Sequence, residues 1–194
     1  ETPVDDGRDE NRSGFVRRGC HPMSSNGLGG RAVAHATARV SDVSERIERL
    51  DWQQISNELD QQGYGILGGL VRSEECDALV SLYSEDQRFR SRIVMERFSF
   101  GRGEYKYFDY PLPDTVSGLR SALYSHLQPI ANHWNEVMEI NVQYPKEHSQ
   151  YINRCHKAGQ LKPTPLLLQY GPGDFNCLHQ DLYGEHVFLI QVTV

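Results

Sequence analysis

The sequence predicts an α+β domain, with helices through its middle and strands toward its end, and three observations predict it. Apolar residues follow a helical pattern over 44–61 and recur at three- and four-residue spacing over 114–137, the period of a helix with one buried face. Short apolar runs bounded by Gly and Pro gather over 164–194, the mark of strands. A chain of 194 residues, 38% hydrophobic and 10% aromatic, is long enough for one domain with a sizeable core.

Residues 1–43 are rich in Gly, Ser, Arg and Asp without a sustained apolar period, and they read as a disordered segment preceding a domain over 44–194. The stretch Ser44 to Gln61 reads as a helix with Ile47, Leu50, Ile55 and Leu59 inward and Gly63 just past its end. Tyr64 to Val71 reads as a short strand. Ser73 is placed to cap a second helix, with Cys76, Leu79, Val80 and Tyr83 as its apolar face. Ile93 to Met95 reads as a strand, and Phe98 to Tyr110 as a hairpin turned around Gly101-Arg102-Gly103.

Asp114 is placed to cap a long helical stretch with the stripe Val116, Leu119, Leu123, Leu127, Ile130, Trp134 and Val137. Pro129 lies inside it and predicts a kink or a break. Pro145 opens one more helix ending near Gly159. Thr164 to Tyr170 reads as a buried strand, and Gly171-Pro172-Gly173-Asp174 fits a type II turn, with Pro second and Gly third. A strand-like run through His179 and Asp181 follows, and another begins near His186. The chain opens on Glu1 and closes at Val194 inside an apolar run without a turn signal, so it reads as a fragment with its sheet cut short; Met23 is a candidate natural start.

The net charge of −6 argues against wholesale coating of DNA or of acidic membranes. No run of eighteen apolar residues predicts a membrane span, and no secretory leader is visible. Four scattered cysteines without a C-x-x-C pair suit free thiols in a reducing, cytoplasmic setting.

The sharpest local signal is His179-Gln180-Asp181. On a strand, residues two apart face the same way, so an imidazole and a carboxylate project together. That is two thirds of a two-histidine, one-carboxylate iron site. A capping Asp beside an ordinary His gives the same tripeptide. The segment Arg88 to Tyr110 interleaves Arg88, Arg90, Arg92, Arg97, Arg102 and Lys106 with Phe98, Phe100, Tyr105, Tyr107 and other aromatics. Basic groups hold phosphates and aromatics stack bases, so Arg102, Tyr105 and Tyr107 are candidate substrate contacts. A twisted hairpin with one packed aromatic face and one solvated charged face has the same composition. His126 and His133 lie seven apart on one helical stretch, a weak metal pairing, and His156 has no role that follows from its position.

Tyr170-Gly-Pro-Gly173 with Leu178-His-Gln-Asp181 resembles the ligand-bearing segment of Fe(II)- and 2-oxoglutarate-dependent dioxygenases, most closely AlkB-like enzymes that demethylate alkylated bases. Wider strings, Phe89-Arg-Ser-Arg-Ile-Val-Met95, Phe100-Gly-Arg-Gly-Glu-Tyr-Lys-Tyr-Phe108, Pro129-Ile-Ala-Asn-His-Trp134, Cys155-His-Lys-Ala-Gly-Gln160, Pro163-Thr-Pro-Leu-Leu-Leu168 and Cys177 to His186, resemble a bacterial 2-oxoglutarate oxygenase family. That family is described as acting oxidatively on damaged DNA and is often labelled prolyl-hydroxylase-like; the resemblance runs from about Trp52 to Val194.

The resemblance implies N-terminal helices packed on an incomplete double-stranded β-helix, or jelly roll. It implies Fe(II) held by His179 and Asp181, and Tyr170 as a hydrogen-bond donor to 2-oxoglutarate. Cys177 sits beside those ligands, where oxidation in uncoupled turnover competes with a plain buried-hydrophobe role. Leu168 stands where AlkB-like enzymes carry an Asn, which removes part of their co-substrate contact. The family's distal His and its 2-oxoglutarate-binding Arg fall beyond Val194, so this stretch is expected to be inactive alone. Protein or prolyl hydroxylation, and a non-catalytic truncated remnant, stand as the alternatives to oxidation of damaged or modified nucleic acid.

Overall fold

The computed structural model describes residues 38–179 and 186–194. Helix α1 (Ala38–Glu48) begins before the Ser44 at which the sequence pattern places the first helix, and α2 (Trp52–Gln62) is separate from it. The single expected helix divides because the Asp51 carboxylate accepts the Gln54 N–H at 3.0 Å and starts a new one. Gly63 closes α2 in the left-handed conformation, φ 77°, with its N–H on the Leu59 carbonyl, as the pattern predicts.

No strand forms over 64–71. Four glycines in Gly63–Val71 raise the entropy cost of extension. The segment is anchored by side-chain contacts instead. Leu70 is buried, the Arg46 guanidinium donates to its carbonyl at 2.8 Å, and Ile66 stays exposed. Helix α3 (Ser73–Ser81) buries only part of its expected apolar face: Leu79 and Tyr83 are half-buried, while Cys76 and Val80 are exposed. What it buries fully is Glu75. That carboxylate accepts the Arg72 N–H at 2.9 Å and pairs with Arg46 at 2.6 Å. Burial alone would raise its pKa, but these two partners outweigh it and hold the carboxyl below its ordinary value.

Helix α4 (Asp114–Val137) runs on through Pro129, so the break into two helices does not occur. Pro129 lies on an exposed face, and the Ser125 carbonyl it deprives of a donor is on a residue open to water. The inward stripe holds through Leu119, Leu123, Leu127 and Ile130, which pack with Val43 and Ile47 of α1, Ile55 and Leu59 of α2, and Leu70. Val137, the last member of the predicted stripe, is exposed. Each fully buried aliphatic side chain of this set contributes roughly 1.5–3 kcal/mol.

The adjoining face of α4 carries Tyr124 and Ala131, which pack with Tyr144 and with Tyr151 and Cys155 of α5 (His148–Lys157). Phe188 enters the tyrosine cluster, with ring centroids 4.8–5.9 Å from Tyr124, Tyr144 and Tyr151. The phenols of Tyr144 and Tyr151 donate to the Val187 and His186 carbonyls, at 2.6 and 3.4 Å. Residues 186–194 are therefore bound by side chains and do not form the strand expected there.

Two antiparallel sheets complete the described residues. β1 (Phe89–Val94), β3 (Glu104–Phe108) and β4 (Leu166–Gln169) form one sheet in the order β1-β3-β4. β2 (Gly101–Arg102) and β5 (Phe175–Asn176) form the other. β1 is longer than the Ile93–Met95 strand expected, and it, rather than Phe98–Gly101, is the partner of β3. β4 is half-exposed, not buried, and Leu168 is open to solvent. The turn after it is as predicted: Gly173 has φ 84°, and the Asp174 N–H meets the Gly171 carbonyl at 3.1 Å. Mixed helix and antiparallel sheet agree with the α+β class. Among the described residues no helix is long and apolar enough to cross a membrane.

Candidate functional site

The site is built on β3. Alternation along Glu104–Phe108 sends Tyr105 and Tyr107 to one face of the sheet and Lys106 and Phe108 to the other. Register places Ile93 and Leu168 on either side of Tyr105, and Ser91 and Leu166 on either side of Tyr107. The Tyr105 and Tyr107 rings meet edge to face at 5.5 Å, and the Arg90 guanidinium lies over Tyr107 at 4.4 Å.

The reverse face holds β3 in place with charge. Lys106 is buried and donates to the Tyr83 carbonyl and to Asp86, both at 2.7 Å. Lys106 holds the Asp86 carboxyl below its ordinary value. Glu104 pairs with Arg92 and accepts the Tyr83 phenol at 2.8 Å. Arg92 holds the Glu104 carboxyl low, while burial, then Glu104, pushes the Tyr83 phenol up. Periodicity alone does not reveal that these alternating charges are internal partners.

Continuing the β3–β4 register by one residue sets Tyr170 opposite Gly103, and the contact bears this out. A Cβ added to Gly103 would stand 2.9 Å from the Tyr170 ring and 3.1 Å from the Gln169 carbonyl. The ring therefore lies over the glycine, on the face that carries Tyr105 and Tyr107. Gly101 is required for a different approach: a Cβ there would collide with the Phe175 carbonyl. Both glycines have positive φ, 124° and 122°, which L side chains resist. The Gly-x-Gly that reads as a hairpin turn is thus two close approaches, one to each end of the 170–176 turn.

That turn carries the chain from Tyr170 back to β5, where Arg102 pairs with Phe175 and Gly101 with Asn176. The Cys177 N–H then donates to the Phe100 carbonyl at 2.8 Å. Arg102 itself points its guanidinium at Glu96, 3.1 Å away, and both side chains are more than half exposed.

β5 ends at Asn176, so His179 lies beyond the strand and not on it. Its ring is on an exposed residue, and Nδ1 stands 2.8 Å from the Cys177 carbonyl. A carbonyl only accepts, so Nδ1 carries the proton in that bond. A metal-binding histidine is oriented by such a bond. Asp181 lies outside the described residues. Among the described residues no cluster of three or more His, Cys, Asp or Glu side chains is arranged to hold a metal. His126 is occupied otherwise, stacked on Trp52 at 4.3 Å with Nε2 3.1 Å from Glu48.

The stretch that carries Tyr105, Tyr107, Tyr170, His179 and Asp181 is also where this chain is similar to a known family. Residues 103–194 match a family described as "Oxygenase, catalysing oxidative methylation of damaged DNA", and the match supports an oxygenase. Two relatives come from Mycobacterium tuberculosis: Uncharacterized protein Rv2227 of strain ATCC 25618 / H37Rv and Uncharacterized protein MT2286 of strain CDC 1551 / Oshkosh. Each is 42% identical over 87 residues, which is 45% of this chain. The chain covers 37% of the length of these curated relatives. No solved structure matches it.

Proposed function

We propose that this chain belongs to an Fe(II)- and 2-oxoglutarate-dependent dioxygenase that demethylates or hydroxylates damaged or modified nucleic acid in the cytoplasm. The observation that carries the reading is the His179 ring. Its Nδ1 is tied to a backbone carbonyl, which orients the ring, on the segment similar to an oxygenase family. In this reading His179 and Asp181 hold the iron, and the Tyr170 phenol donates to a carboxylate of 2-oxoglutarate. Bound there, the metal and co-substrate supply the oxidising power to break a C–H bond. The chain's own part is to position. Gly103 seats the Tyr170 ring, and the aromatic face with Arg102, Tyr105 and Tyr107 receives the substrate. The two antiparallel sheets, joined through Gly103, are read as one corner of a jelly roll.

The test is succinate release by the full-length protein with Fe(II) and 2-oxoglutarate, using single-stranded oligonucleotides carrying N-methylated bases and, separately, proline-containing peptides. Turnover stimulated by the methylated oligonucleotide, with formaldehyde released and His179→Ala at background, is the expected result. Stimulation by the peptide alone would transfer the reading to a protein hydroxylase. A folded, iron-loaded protein with no turnover on either would remove the catalytic reading altogether.

A further inference from the structure

Between β1 and β3 the chain makes a finger over Met95–Gly103, of which the oxygenase reading uses only Arg102 and Gly103 at its returning end. Its base is closed. Met95 is buried, its N–H donates to the Gly103 carbonyl at 3.0 Å, and the Phe100 N–H returns to the Met95 carbonyl at 3.1 Å. At the tip Ser99 adopts φ 59°, a left-handed conformation that costs an L residue about 1–2 kcal/mol. The turn brings Phe98 and Phe100 ring to ring, 5.5 Å between centroids and 23° between planes. Yet both remain more than 40% exposed, and so does Phe175 on the adjoining β5.

Charge on the finger has one sign to spare. Residues 95–103 carry Arg97 and Arg102 against Glu96, a local +1 in a chain of −6. Arg97, exposed beside Phe98, forms no ion pair with any described residue. Arg102 spends its charge on Glu96 in a pair so exposed that exchange for another anion costs little. Rigid exposed rings flanked by exchangeable guanidinium groups suit a ligand with flat apolar faces and a polyanionic backbone.

We propose that the Met95–Gly103 finger, together with Phe175, is the stacking platform for single-stranded nucleic acid: Phe98, Phe100 and Phe175 stack bases, and Arg97 and Arg102 take the flanking phosphates. The proposal rests on the nucleic-acid reading above and adds the residues that make the contact. Tyr105 and Tyr107, in contact with each other and Tyr107 also with Arg90, are half-buried, whereas the finger's rings stand more than 40% exposed.

The test is fluorescence anisotropy of a labelled single-stranded 12-mer with the full-length protein, wild type against Phe98→Ala/Phe100→Ala. Stacking is worth about 1–3 kcal/mol per base, so the double variant, which loses two stacking rings, is expected to bind at least about 30-fold more weakly. Phe98→Trp is expected to keep the affinity and to show quenching of the new indole on binding, a signal that a purely structural role would not produce. That readout holds even if the double variant fails to fold. A wild type that binds no oligonucleotide overturns this proposal along with the nucleic-acid reading. Binding that the double variant leaves unchanged, with the indole unquenched, overturns the finger alone. So does self-association that the double variant abolishes while oligonucleotide affinity stays the same, since the face would then belong to a second copy of the chain.

Discussion

Gly103 concentrates two demands in one residue. Its backbone is held at φ 122°, and the Tyr170 ring occupies the space a side chain would need. Gly173 makes only the first demand: φ is 84° and nothing lies within 4 Å of an added Cβ. Gly173→Ala is therefore expected to cost only the backbone term, about 1 kcal/mol, and Gly103→Ala that term plus ring displacement, about 2–3 kcal/mol. Urea midpoints of the two variants check the ordering. Equal losses would mean that the approach of Tyr170 contributes nothing to stability. In the oxygenase reading only Gly103→Ala also weakens 2-oxoglutarate binding, because only that variant moves the phenol.

Helix α3 shows how one carboxylate replaces an apolar face. Glu75 caps the Arg72 N–H, pairs with Arg46 of α1, and is buried while Cys76 and Val80 face water. Its carboxyl is held below its ordinary value of 4.5 in the fold. The stabilisation it brings is therefore complete above that value and fades as pH falls through the lower, folded value. Glu75→Gln should cost about 2 kcal/mol at neutral pH, the scale of a lost charge-assisted hydrogen bond. The gap between wild type and variant should close on acidification below pH 4.5, read as converging urea midpoints. A gap that stays constant with pH would show that shape, not charge, is what Glu75 supplies.

The same helix marks where the sequence stops being legible at the element scale. α4 and the Gly63 and Gly173 positions were readable because local chemistry decides them: a 3.6-residue stripe, a left-handed cap, a Pro-Gly turn. The inward face of α3 is set by Arg46, 29 residues away, and no periodicity records that. The single helix expected over 44–61 failed on Asp51, whose preference for capping outweighed the continuing stripe. The expected strands at 64–71 and from His186 depend on finding partners, and both segments are held by side chains instead, the first by Arg46 of α1 and the second by Tyr144 and by Tyr151 of α5. In the site, Tyr170 and His179 were legible as residue types at a spacing. That Gly103 seats Tyr170 was not, because it follows from β3–β4 register.

For the molecule as a whole, the nucleic-acid reading requires a chain of net charge −6 to engage a polyanion. The interleaved cations of 88–110 suggest a broad basic strip, but the fold spends most of them. Arg88 pairs with Glu85, Arg92 with Glu104, Lys106 with Asp86 and Arg102 with Glu96, while Arg90 lies on Tyr107. What remains for phosphate is Arg97, and Arg102 if it exchanges its partner. Each phosphate contact on a single strand adds a log–log salt slope of about −0.7, so about two contacts give a slope of roughly −1 to −1.5. A protein binding through a six-cation strip would show about −4 by the same rule. Anisotropy titrations of a single-stranded oligonucleotide between about 50 and 200 mM salt separate the two cases. A shallow slope that Arg97→Gln reduces further is the expected outcome, with stacking carrying most of the affinity. A steep slope would mean that the internal ion pairs open on binding, and that electrostatics rather than exposed aromatic surface governs recognition.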